Sequence, residues 1–83
     1  MHIASMVIRT RPEDIRGIET SLNAMTGVDV HAVTTDGRLV VTIEGTDRST
    51  CGERLMAIHA IPRVLSAGLV YEQSDEESTE TTS

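Results

Sequence analysis

The chain has no phenylalanine, no tryptophan and no lysine, and only one tyrosine and one cysteine among its 83 residues. With one tyrosine and no phenylalanine or tryptophan it lacks the several stacking rings of an RNA-recognition module. A formal net charge of −6 speaks against nucleic acid for a second reason, because neutralising phosphates needs basic clusters. A single cysteine, Cys51, rules out an intramolecular disulfide and every multi-cysteine zinc or iron–sulfur pattern, which fits a reducing compartment. No apolar run approaches ~18 residues, and the first residues, MHIASMVIRTRPED, lack the charged, apolar and small-residue order of an export signal. These absences predict a cytoplasmic protein with no membrane insertion.

Catalytic patterns are equally scarce. The six glycines are dispersed, so no phosphate-cradling loop exists, and no serine sits in a Gly-x-Ser-x-Gly elbow. Glu13 and Asp14 belong to a helix start and Asp75 to Glu77 to a polar tail, and neither pair can hold two carboxyl pKa values apart. His2, His31 and His59 fall on three different elements, none near Cys51 in sequence, so no metal site is expected. Cys51 lies on an apolar helical stripe and reads as a buried thiol. Neither an enzyme nor a cofactor is predicted.

What is present is aliphatic patterning. In Val28 to Glu44, VDVHAVTTDGRLVVTIE, two runs alternate on either side of Asp36-Gly37, with Val28, Val30 and Ala32 on one face and Leu39, Val41 and Ile43 likewise. Period-two alternation around Asp-Gly predicts a β-hairpin with a tight type I′ turn at Asp36-Gly37, since glycine takes positive φ without steric cost. A hairpin is marginal in water by itself and must lay its apolar face on other elements.

The flanks supply them. His2 to Arg9 alternates with Ala4, Met6 and Ile8 against Ile3, Ser5 and Val7, and apolar residues of both parities predict a central strand. Pro12, Glu13 and Asp14 open a helix whose stripe is Ile15, Ile18, Leu22 and Met25, with Gly27 as its stop. Asp47 caps a second helix carrying Cys51, Leu55 and Ile58, and Pro62 ends it. Val64 to Glu72 reads as the last strand, with Leu65, Ala67, Leu69 and Tyr71 as the better core row. Residues 73–83 are polar and acidic with nothing to bury, and are expected to be a disordered tail behind a domain of residues 1–72.

The order βαββαβ predicts an α+β, ferredoxin-like split βαβ fold, a four-stranded antiparallel sheet with two helices on one face. Its open face should carry Ile3, Ser5, Val7 and Arg9, then Asp29, His31 and Val33, then Arg38, Val40, Thr42 and Glu44. Valines mixed with small polar residues suit a docking platform, although scattered exposed aliphatics are also ordinary in a small domain. Taking strands one and three as parallel neighbours, Glu44 should stand beside Arg9, either as a surface ion pair or as part of a binding site. Other functions of this fold fit less well. A heavy-metal-binding domain needs Cys-x-x-Cys where this chain has Arg9-Thr10-Arg11-Pro12, and an acylphosphatase needs an asparagine on the hairpin side, whereas Asn23 lies in helix one. A small-molecule-sensing regulatory module of the same fold remains the alternative.

SMVI at Ser5 to Ile8, LNAMTGVDVHAV from Leu22 to Val33, GRLVVTIEG from Gly37 to Gly45 and VLSAGLVYE from Val64 to Glu72 together resemble the NapD family of assembly chaperones. Thr26, where a proline is expected before Gly27, and Glu72, where a histidine is more usual after Tyr71, depart from it. The resemblance implies a ferredoxin-like fold that binds the twin-arginine signal peptide of the NapA precursor, the catalytic subunit of the periplasmic nitrate reductase, and delays its export until cofactor loading. A receptor for two adjacent guanidinium groups followed by an apolar stretch needs carboxylates beside a mildly apolar surface. On this chain the expected peptide-binding residues are therefore Ser5, Val7, Arg9, Asp29, His31, Val33, Val40, Thr42 and Glu44, on a protein that is a monomer when free.

Overall fold

The structure, a computed structural model, describes residues 1–74; the acidic segment 75–83, expected to be disordered, lies outside them. Strand β1 is His2–Arg9, β2 Val28–Val33, β3 Arg38–Gly45 and β4 Ser66–Ser74; helix α1 is Ile15–Asn23 and α2 Arg48–His59. A 3₁₀ turn over Pro12–Asp14 leads into α1, with proline's fixed φ in the first turn. The strands form one sheet in the order β2-β3-β1-β4, every neighbouring pair antiparallel. Both helices cover one face. This is the α+β, ferredoxin-like arrangement.

Alternation and burial agree along the central strands. His2, Ala4, Met6 and Ile8 of β1 and Leu39, Val41 and Ile43 of β3 are buried. They meet Ile18 and Leu22 of α1 and Cys51 and Ile58 of α2 in one aliphatic core, with Met25, Leu55 and Ala67 at its margin. Ile18 and Leu22 of the α1 stripe are thus committed to the core, and α2 contributes Cys51 and Ile58, leaving Met56 72% exposed.

Three local expectations are corrected. First, β1 and β3 are antiparallel, so Arg9 faces Arg38 and Glu44 faces Ile3. The crossover helices relate β1 to β2 and β3 to β4, and each such parallel pair is separated by an inserted strand. Second, the β2–β3 turn is longer than two residues. Gly37 N–H donates to Thr34 O at 3.2 Å and Thr34 N–H to Arg38 O at 2.8 Å, while φ is positive at Gly37 (+103°) but not at Thr35 or Asp36, which excludes a type I′ turn. Third, β4 is shifted, running to Ser74, so Gln73 and Ser74 belong to the sheet and not to the tail.

Arg63 is the one residue other than glycine with positive φ among the described residues, at +76°. It follows Pro62 in a turn closed by Val64 N–H to Ile61 O at 3.4 Å, the position where glycine is favoured. Two contacts hold it there: its carbonyl accepts from the Thr10 hydroxyl at 2.9 Å, and its guanidinium meets Asp14 at 3.0 Å.

The start of α2 carries a testable pH dependence. The Asp47 carboxylate accepts from Thr50 N–H at 2.8 Å, and this bond, followed by the Thr50 hydroxyl, holds its pKa below the ordinary 3.8. A pKa depressed by folding stabilises the native state above the unfolded value, and the contribution is lost as pH falls through the folded value. Asp47→Asn, which keeps a capping oxygen without the charge, should therefore leave the melting temperature at neutral pH nearly unchanged and flatten its decline below about pH 4. Thermal melts of both proteins across that range check it; parallel declines would remove Asp47 from the acid response.

Candidate functional site

The face of the sheet turned away from the helices carries the candidate site, and strand register defines it. Residues directly opposite on antiparallel neighbours share a face. The open rows are Glu44–Ile3–Gln73, then Asp29–Thr42–Ser5–Tyr71, then Ala32–Val40–Val7–Gly68, then Arg38–Arg9–Ser66. Of the residues expected there, Ser5, Val7, Arg9, Asp29, Val40, Thr42 and Glu44 lie in these rows. Ser5, Val7 and Thr42 are half-buried, Val40 is 37% exposed, and the charged members are exposed. His31 is exposed at a bulge, its Nε2 2.6 Å from Thr42 Oγ1 in a hydrogen bond whose donor depends on the ring tautomer.

Val33 is not in these rows. β2 has one residue more than β3 between Val30 and Ala32, so Ala32 stands opposite Val40 and Val33 opposite buried Leu39, on the helix side. A bulge shifts every later side chain to the other face. The same device acts in β4, where Met6 faces Leu69 and Ser5 faces Tyr71 with Val70 extra. Tyr71, expected in the core row, thereby joins the open face, 53% exposed, its hydroxyl donating to Gln73 at 2.5 Å. The chain's only tyrosine thus borders the platform. Strict alternation puts Tyr71 and Ala32 on the helix side, and Ile3, on the open face by alternation, shares it with the expected binding residues.

Charge on this face is divided by end. Asp29 and Glu44 lie at the end where β1 begins, and Arg9 and Arg38 at the end where it finishes. Arg38 pairs with Asp36 at 3.1 Å between half-exposed side chains. Thr34 first, then Arg38, holds the Asp36 carboxyl below its usual range. The Arg54 guanidinium, reaching from α2, donates to the Glu44 carbonyl beside a cleft of about 340 Å³ lined by Met1, Gly27, Glu44, Gly45, Thr46 and Arg54.

The helix side offers less chemistry. His2, 1% exposed, sets Nε2 2.5 Å from a Glu72 carboxylate oxygen, and its Nδ1 has no partner among the described residues. Glu72, one of the two departures from the family pattern, therefore has a partner within this chain. Cys51 is 1% exposed; burial first, then the Glu72 carboxylate, pushes its thiol pKa up. Iodoacetamide near pH 8 should label native Cys51 at least about 100-fold more slowly than the denatured chain, because reaction needs the exposed thiolate. Equal rates would show that the thiol is accessible. Among the described residues no three His, Cys, Asp or Glu side chains converge as metal ligands, and no helix is long and apolar enough to cross a membrane.

Two helices on one face of a β2-β3-β1-β4 sheet, with a mixed valine and polar surface on the other, define a ferredoxin-like domain with an unpartnered sheet face. Residues 1–76 match the NapD protein family, and the chain belongs to that family. It is 30% identical over 73 residues to the chaperone NapD of Paracoccus pantotrophus, covering 88% of this chain and 64% of that protein, so it spans less than two thirds of that relative's length. The solution structure of the Escherichia coli Tat proofreading chaperone NapD superposes with a TM-score of 0.80 at 31% identity, covering 92% of this chain and 81% of that one.

Proposed function

We propose that this protein is a cytoplasmic, non-enzymatic Tat proofreading chaperone that binds the twin-arginine signal peptide of the NapA precursor and delays export until cofactor loading and folding are complete. The observation that carries this reading is the open face itself. Val7, Val40 and Ala32 make a mildly apolar centre that no element of the described chain covers, Ile3 adds an apolar side chain in the Glu44 row, and Asp29 and Glu44 supply carboxylates at that end. The related E. coli structure, described as a Tat proofreading chaperone, supports the class of partner.

The peptide's chemistry matches this surface. Its apolar stretch removes the valine row from water, and its two guanidinium groups meet carboxylates that have no ion pair or side-chain hydrogen bond among the described residues. The helices are the poorer surface, because Ile18, Leu22, Cys51 and Ile58 are already buried beneath them.

Titrating isotope-labelled protein with a synthetic NapA signal peptide tests the reading. Amide shifts should concentrate on Ser5, Val7, Asp29, Val40 and Thr42, with micromolar or tighter affinity, roughly −8 kcal/mol or better. Shifts confined to α1 and α2, or no binding at millimolar peptide, would remove the open face from the function. Capture from cytosol followed by mass spectrometry should return a twin-arginine precursor as the dominant partner.

A further inference from the structure

The register places two arginines opposite each other. Arg9 and Arg38 are directly paired across β1 and β3, both exposed on the open face, and like charges so placed are unfavourable to the sheet. Asp36 offsets part of this through Arg38, whereas the Arg9 side chain has no hydrogen bond or ion pair among the described residues. Asp29 and Glu44 stand at the opposite end. Glu44 and Arg38 are six residues apart on β3, a span of ~20 Å, with Val40 and Val7 between them. The face is therefore a strip with a negative end, an apolar middle and a positive end.

We propose that this charge division fixes the direction of the bound signal peptide, with its arginines at the Asp29 and Glu44 end and its carboxyl-terminal part toward the Arg9–Arg38 row. The inference rests on the peptide-binding reading above and adds the direction. In the reversed pose the peptide's guanidinium pair faces Arg9 and Arg38, which raises the energy of that pose alone. A helical peptide gains a second preference of the same sign. About 13 residues of helix span ~20 Å, and the negative end of its macrodipole then lies beside the two arginines. For an extended peptide the side-chain charges act alone and give the same direction.

Other charges near the two ends do not reverse this order. At the acidic end, the Arg54 guanidinium is held by the Glu44 carbonyl, and Met1 lines the same cleft. At the basic end, Arg63 and Asp14 pair with each other at 3.0 Å, so their charges largely cancel.

The test uses the full chain and two versions of the NapA signal peptide, nitroxide-labelled at the amino or the carboxyl terminus. The amino-terminal label should broaden the amides of Asp29, Thr42 and Glu44, and the carboxyl-terminal label those of Arg9 and Arg38. The opposite assignment overturns the direction and leaves the peptide-binding reading intact. Broadening on the helix face overturns both. In the Arg9→Glu, Arg38→Glu double variant, which exchanges one exposed like-charge pair for another and whose fold is verified by its amide spectrum before labelling, each label should broaden both ends, because either end now attracts the arginines. Should it not fold, Arg9→Glu alone, which sets an opposite charge against Arg38, takes its place and should weaken the one-sided pattern. A one-sided pattern that persists in this variant would show that the arginine row does not set the direction.

Discussion

Glutamate in place of Val40 or Val7 should lower signal-peptide affinity about 100-fold, equivalent to ~2.7 kcal/mol, with the fold retained. The two valines face each other across β3 and β1 in the row that continues to Ala32 and Gly68. No element of the described chain covers them, so in the free protein a carboxylate there can remain in water and folding loses little. Binding changes this. The apolar part of the peptide would have to dehydrate the new charge or leave the row, and an unpaired buried charge costs several kcal/mol. Glu53→Arg, on the exposed surface of α2, serves as a control and should change affinity less than threefold. Asp29→Arg and Glu44→Arg act by another route, repelling the arginines and flattening the dependence of affinity on salt. Isothermal titration at two ionic strengths separates the two classes. Unchanged affinity in all four folded variants would move the binding site off the open sheet.

Most of the fold was legible because independent local signals agreed with one another. β1 announced a central strand by carrying apolar residues of both parities, and Pro12, Asp47 and Pro62 marked helix boundaries in their usual roles. The hairpin followed from alternation around Asp36-Gly37. What could not be read was anything that depends on counting residues across strands. In β2, apolar residues of both parities, Val28, Val30, Ala32 and Val33, let the pattern absorb an extra residue without a visible break, so the bulge at His31 left no signal. In β4, the consecutive Leu69, Val70 and Tyr71 concealed the other bulge in the same way.

The separation of Arg9 from Glu44 has a different origin. Strands related by a crossover, β1 with β2 and β3 with β4, are parallel, whereas the hydrogen-bonded neighbours β1 and β3 are antiparallel. Once β3 is inserted between β1 and β2 it must run against both. The carboxylate expected beside Arg9 then moves to the far end of the strip, and another arginine takes its place. The composition of the candidate site was thus largely visible in the sequence, while its polarity appeared only with the register.

Gly37→Val should destabilise the protein by ~3 kcal/mol, from ~1–2 kcal/mol of left-handed backbone strain and ~1–3 kcal/mol of overpacking. For a domain of this size that corresponds to a melting temperature lower by ~12–24 °C. Gly37 adopts φ +103°, which a β-branched residue resists, and a Cβ there would collide with the Thr10 carbonyl. That carbonyl has little freedom to retreat. Thr10 is buried, its N–H donates to Gly37 O at 2.8 Å, and its hydroxyl donates to the Arg63 carbonyl at 2.9 Å. Gly37→Asn separates the two causes, since asparagine tolerates left-handed φ but still places a Cβ against Thr10. Its loss should be smaller than that of valine yet clearly measurable. Because the hairpin sets the register that aligns Asp29 with Thr42 and Val40 with Val7, both variants should also lose peptide affinity beyond the fraction unfolded. Denaturant midpoints for the two variants provide the check: a valine midpoint equal to that of the parent would mean that the hairpin turn can re-form without glycine, and that the contact with Thr10 does not constrain it.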